Sequence, residues 1–285
     1  MRIDAHQHFW QYDPVRYAWI GEGMGVLARD FGPLDLKQEL QAAGIGASIA
    51  VQARQDLDET DELLRVAADH DHVAAVVGWF DLESDELSEE LDARMSKALV
   101  GARHILQDEP NDEYMLRPAF QRGIGELTKR RLSYDLLIHP HHLPVALDLV
   151  DAHPDQCFVL DHLAKPFIER GEIDPWRRDL SRLADRAQVS VKLSGLVTEA
   201  AWGRWTFEDL RPYLDAALEA FGATRVMFGS DWPVCTLAAS YKRVTAVIEQ
   251  WSETLSADEK AGLWGGNAAR VYRLSESVLR ERSAR

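Results

Sequence analysis

Short apolar runs rich in β-branched residues alternate along this chain with longer stretches whose apolar positions recur at helical spacing. The short runs fall at 2–9, 47–52, 73–80, 100–106, 133–138, 157–162, 189–194 and 225–230. The helical stretches fall at 57–70, 84–99, 120–131, 143–153, 175–187, 206–221 and 241–255. In the first of these, Leu63, Leu64, Val66 and Ala67 lie among charges, which makes one face of a surface helix. Strands interleaved with helices predict a parallel sheet, and eight of them predict closure into an α/β (β/α)8 TIM barrel. The 285 residues match that architecture, which runs to roughly 250 residues as one domain. An open doubly wound sheet usually opens with a glycine-rich phosphate turn after its first strand. Here that position reads Gln7-His8-Phe9-Trp10, so the barrel is favoured. The expected organisation is one domain over 1–274 and a polar tail over 275–285. The aromatic segment 9–32, with Trp10, Tyr12, Tyr17 and Trp19, reads as a long loop on the face that carries active sites in barrels.

Composition narrows the function classes. A formal net charge of −15 argues against nucleic acid, whose phosphates demand basic patches. The same charge gives no reason to expect an anionic membrane surface, and no apolar run reaches the roughly 18 residues of a membrane span. The start Met1-Arg2-Ile3-Asp4 has no long apolar stretch, and Cys157 and Cys235 make neither a disulfide framework nor a Cys-x-x-Cys pair, so a cytoplasmic location is expected. The sequence leaves a homo-oligomer open.

Three constellations carry candidate chemistry, each at the end of a predicted strand. In His6-Gln7-His8 the two imidazoles are two residues apart and therefore share one strand face. They suit a metal, or paired donors to a carbonyl. Asp231, in Phe228-Gly229-Ser230-Asp231-Trp232-Pro233, is placed to act as general base or metal ligand, although an Asp before a turn also caps helices. In Leu160-Asp161-His162-Leu163-Ala164-Lys165-Pro166, His162 can join His6 and His8. Asp161 would then face the opposite side of a regular strand, capping a helix or orienting a partner.

His-x-His after strand one, His after strand six and Asp after strand eight together resemble the amidohydrolase superfamily. The segments Arg103-His104-Ile105-Leu106-Gln107-Asp108-Glu109-Pro110, Val159–Pro166, Lys192-Leu193-Ser194-Gly195-Leu196 and Phe228–Pro233 resemble its amidohydrolase-2 group, which holds sugar lactonases. The resemblance runs from Arg2 to about Leu274. It implies hydrolysis of a sugar-derived lactone, such as L-fucono-1,5-lactone or a related deoxy-aldonolactone, by water that Asp231 activates. His6, His8 and His162 would polarise the carbonyl. The implied cofactor is either none or one divalent metal such as Zn²⁺, held by His6, His8 and Asp231. Binuclear members carry a lysine at the end of strand four, and here that position reads Arg103-His104, so a binuclear centre is unsupported. Arg103, His104, Glu109, Lys192 and Trp232 are the expected substrate contacts. Among His139, His141 and His142 any one can face inward, with a loop role for His139 favoured over ligation. Two rival readings are a metal-dependent decarboxylase of the same group and a non-catalytic sugar-acid-binding barrel.

Overall fold

A computed structural model of the chain describes residues 1–274; the tail expected at 275–285 lies outside the described residues. Eight parallel strands run in sequence order around a barrel: β1 Ile3–Gln7, β2 Ala47–Val51, β3 Val73–Gly78, β4 Leu99–His104, β5 Ser133–Leu136, β6 Phe158–Leu160, β7 Val189–Leu193 and β8 Val226–Phe228. The expected fold is the one observed. Strands such as Val73–Gly78 are buried along their whole length, as parallel strands covered on both faces must be. The seam between first and last strands closes through the residues just beyond β8. The Asp231 amide donates to the His6 carbonyl at 2.8 Å, and the His8 amide to the Trp232 carbonyl at 2.7 Å.

Around the barrel lie α1 Pro33–Ala42, α2 Leu57–Asp69, α3 Leu87–Arg94, α4 Pro118–Lys129, α5 Leu143–Ala152, α6 Trp176–Ala184, α7 Leu196–Glu199, α8 Phe207–Phe221 and α9 Tyr241–Trp251, followed by α10 Ala257–Ala261 and α11 Asn267–Val271. Helix α1 is an addition to the expected set. It starts at Pro33, whose fixed φ suits a first helical position, with the Asp35 carboxylate accepting from the Gly32 amide at 2.9 Å. The largest apolar cluster fills the shell between strands and helices, with Leu136, Leu160 and Val191 on the strands' outer face. A second cluster, with Ile3, Ala5, Ile49, Val77, Val159 and Met227, packs with Tyr272 from the end of α11. No described helix is long and apolar enough to cross a membrane.

The strands end earlier than their apolar runs suggest. β6 stops at Leu160 and β8 at Phe228, just before left-handed residues at 162–165 and at Asp231 that end the extended backbone. Register fixes which side chains go in. Arg103, Asp135 and Val159 are lateral neighbours, as are Lys192 and Met227, and all share the inner face. One position along, His104, Leu136, Leu160 and Val191 share the outer face.

Candidate active site

The site is assembled at the C-terminal ends of the strands. In β1 the pairing slips between Asp4 and Gln7, an irregularity that shifts the alternation. Ile3 and Ala5 pack inward, yet His6 also points inward and His8 with it, while Gln7 turns aside to donate to Ser48 Oγ at 3.2 Å. The two imidazoles meet Nε2 to Nε2 at 3.2 Å. Asp231 Oδ1 stands 3.4 Å from His8 Nε2, 3.8 Å from His6 Nε2 and 3.9 Å from His162 Nε2. Asp231 itself sits in the left-handed region at φ 58°, which swings its carboxylate over the seam.

Asp161 and His162 do not take opposite faces as a regular strand would impose. After Leu160 the chain makes a left-handed turn, with φ of 52°, 53°, 58° and 52° at His162, Leu163, Ala164 and Lys165. Each such non-glycine residue costs about 1–2 kcal/mol. The turn is closed by the Lys165 amide donating to the His162 carbonyl at 2.7 Å and anchored by Trp176 Nε1 donating to the Leu163 carbonyl at 2.7 Å. Asp161 and His162 therefore both face the barrel axis. His162 packs edge-on to His6 with ring centroids 4.5 Å apart, and its Nδ1 lies 2.9 Å from Ser194 Oγ. Gly195 makes this packing feasible: its φ is +67°, and a Cβ there would meet His162 Nδ1 at 2.6 Å.

Beneath the histidines lies a buried ionic lattice. Asp161 pairs with Arg103 Nη1 at 2.8 Å, Lys192 Nζ at 3.0 Å and His6 Nδ1 at 3.3 Å. Lys192 also contacts Asp135 at 2.6 Å and His6 Nδ1 at 3.0 Å, and Tyr272 donates its hydroxyl to Asp135 at 2.8 Å. Burial pushes Asp135 up despite Lys192 beside it. Burial would also raise Asp161, but Lys192, His6 and Arg103 outweigh it and hold that carboxyl well below its ordinary range. Burial drives His6 well down and His162 down to about 4, so both rings are neutral at pH 7. Asp231 is depressed although burial opposes this, because His162, His8 and His6 surround it; it is ionised.

The cluster opens into a small cavity of about 110 Å³ at the mouth of the barrel. Of the expected residues, His8, Arg103, His162 and Asp231 line it, and His6 lies directly behind His8. The structure does not bring His104, Glu109, Lys192 or Trp232 to the cavity wall. His104 occupies the outer register of β4, pairs with Glu109 at 2.7 Å and stacks on Tyr114 at 5.1 Å, so the two clamp the loop that follows. Lys192 is inward but wholly buried beneath His6. Trp232 packs against Phe9 and Phe31, with centroids 6.2 and 5.4 Å away. His139 stacks on His141 and His142, which tilt against each other, and none of the three lines the cavity. His142 Nδ1 accepts from the His139 amide at 3.1 Å, which puts its proton on Nε2, facing Asp112 at 3.3 Å, and removes the lone pair a metal would need.

The cavity also holds Trp19, from the aromatic loop expected on this face, and three residues not expected as contacts, Gln107, Asp108 and Lys165. Trp19 reaches it from the aromatic loop, held by Nε1 donating to the Ala53 carbonyl at 3.1 Å. Gln107 and Asp108 come from the loop after β4, and Lys165 from the left-handed turn.

His6, His8 and Asp231 can hold a metal ion. His8 Nδ1 is bonded to the Val51 carbonyl at 2.8 Å, so its Nε2 presents a lone pair. Zinc–ligand distances of roughly 2.0–2.2 Å in a tetrahedron imply ligand–ligand edges of about 3.3–3.6 Å. The observed edges of 3.2, 3.4 and 3.8 Å bracket that range. The residues fit one zinc.

Comparison with known proteins agrees with this picture. The family model described as Amidohydrolase matches residues 3–274. An L-fucono-1,5-lactonase of Burkholderia multivorans is 48% identical, with 97% of each chain covered. An L-fucono-1,5-lactonase of Burkholderia ambifaria is 38% identical, with 96% of each covered. The crystal structure of an amidohydrolase from Burkholderia multivorans with bound zinc superposes with a TM-score of 0.93 at 47% identity, covering 96% of this chain and 100% of that one.

Proposed function

Because this chain belongs to the amidohydrolase family, we propose that it is a lactonase that hydrolyses L-fucono-1,5-lactone or a closely related deoxy-aldonolactone. The observation that carries this reading is the geometry of Asp231. Its Oδ1 faces three imidazoles, which leaves Oδ2 to accept a proton from water in the cavity. The relatives named as L-fucono-1,5-lactonases support the substrate class.

Water attacks the lactone carbonyl as Asp231 takes its proton. With the Ser194 hydroxyl donating to His162 Nδ1, 2.9 Å away, which is the tautomer this step requires, His162 presents Nε2–H to the oxygen that gains negative charge. Asp161 and Lys192 hold His6 in place from below through its Nδ1. The protonated Asp231 then delivers its proton to the departing ring oxygen, and the aldonate leaves a strongly acidic protein that repels it. A zinc ion held by His6, His8 and Asp231 would supply Lewis-acid polarisation of the carbonyl.

A panel of L- and D-aldonolactones assayed for acid release with a pH indicator, with and without chelator, tests the proposal. Acid release well above background on a six-carbon deoxy-lactone is expected. A protein that releases no acid from the panel but decarboxylates an aromatic acid would be a decarboxylase, and one that binds sugar acids without turnover would be a binding barrel.

A further inference from the structure

We propose that Lys165 is a catalytic residue whose ammonium stabilises the lactone ring oxygen as the ring opens, an inference that rests on the lactonase reading. The left-handed turn carries the inference. Four successive non-glycine residues adopt φ between 52° and 58°, a conformation that L-residues take singly and rarely in series. Such strain persists where the surroundings over-determine it, and it concentrates at functional sites. Here the turn is closed on itself at Lys165, pinned from outside by Trp176, and given room by Gly195. Its effect is to put His162 and Lys165 on the same cavity wall, where a regular strand would have divided the segment between the two faces.

Lys165 differs from the other cations near the site. Arg103 is committed to Asp161 and Gln52, and Lys192 to Asp135 and Asp161. Among the described residues, the Lys165 side chain makes no hydrogen bond and no ion pair within 4.0 Å, although it is half-buried. The groups that sense its charge surround it: His162 on its own turn, Glu199 on α7, and His139 after β5. Glu199 is the carboxylate that feels Lys165, and no ion pair within 4.0 Å joins them. An uncommitted ammonium in a cavity for a neutral substrate has its counter-charge made by the reaction.

The water oxygen bonds to the carbonyl carbon, and Asp231 takes the proton. The carbonyl oxygen gains its charge at the histidine floor. The bond between carbonyl carbon and ring oxygen then breaks, its electron pair stays on the ring oxygen, and the proton on Asp231 moves there. Lys165 keeps its protons throughout and offsets the charge that the ring oxygen carries before that proton arrives.

Steady-state kinetics of Lys165→Met, Lys165→Gln and Lys165→Arg on an aldonolactone, and on the thiolactone with sulfur in the ring position, test this. For Met and Gln, kcat should fall about 10²–10³-fold, with KM changed by less than roughly threefold, and Arg should restore much of it. The thiolactone should lose less than about tenfold, because sulfur carries departing charge with little help. Thermal melts of all three identify any variant that fails to fold, and the remaining variants decide. Unchanged kcat, a rise in KM alone, or equal loss on both substrates would each overturn the assignment. A wild-type protein inactive on every lactone would instead remove the lactonase reading.

Discussion

Lys192 was expected to touch substrate, and the structure gives it a different task that one substitution can expose. It is wholly buried between Asp135 and Asp161, at 2.6 and 3.0 Å. Lys192→Met keeps most of the volume but leaves two buried carboxylates with one cation fewer. Removing one partner of a buried ion pair costs about 3–5 kcal/mol. At roughly 2.1 cal/mol/K per residue, 285 residues carry an unfolding entropy of about 0.6 kcal/mol/K, so the melting temperature should fall by about 5–8 °C. The loss should depend on pH. The carboxyl of Asp135 is raised in the folded protein, so its contribution is full below the unfolded value and lost as pH rises through the folded one. Removing Lys192 pushes Asp135 further up. Asp161 is the opposite case, held low, and its stabilisation, present above the unfolded value and lost as pH falls, shrinks without Lys192. Both signs agree: the variant should be closest to wild type in acid and furthest from it at neutral and alkaline pH. Tyr272→Phe, which removes another bond to Asp135, should cost about 1.5–3 kcal/mol alone and be non-additive with Lys192→Met. Calorimetric melts from pH 4 to 9 with parallel kcat and KM measurements decide. A Lys192→Met protein that melts like wild type and differs only in KM would refute the reasoning and return Lys192 to the substrate.

Three further outcomes follow from the geometry. His104→Ala should loosen the loop that carries Gln107 and Asp108, raising KM several-fold with kcat nearly unchanged; a kcat loss without a KM change would contradict the clamp. Gly195→Ala should displace His162 and lower kcat by roughly tenfold or more, with about 1–2 kcal/mol of backbone strain; full activity would mean that His162 can move without consequence. Equilibrium dialysis should find one zinc per chain in the wild type and a large loss of affinity in His8→Ala; undiminished binding by that variant would place the metal elsewhere.

The barrel was legible because its strands are short, apolar and evenly interleaved with amphipathic helices, and period and length reveal such elements directly. Helix α1 escaped because the aromatic segment before it obscured its start at Pro33. The convergence of His6, His8, His162 and Asp231 followed from strand-end placement. The direction of individual side chains was harder to read. His104 and Arg103 are neighbours, and only the register with β5 shows that one faces the helices and the other the axis. Asp161 and His162 share a side through a left-handed turn that no propensity in Asp-His-Leu-Ala-Lys announces. Lys192 and Tyr272, 80 residues apart, meet at Asp135 through barrel closure, a contact invisible to local pattern. Lys165 did leave a trace, as a charged residue before proline just past a buried strand.

The central claim is that Asp231 activates water against a sugar lactone, and Asp231→Asn tests it most directly. The amide preserves size and polar contacts with the histidines but cannot take the water proton. On L-fucono-1,5-lactone at pH 7, with zinc supplied and folding verified by an unchanged far-UV spectrum, kcat should fall about 10²–10⁴-fold. A folded Asp231→Asn protein turning over the lactone at a near-normal rate would contradict the account.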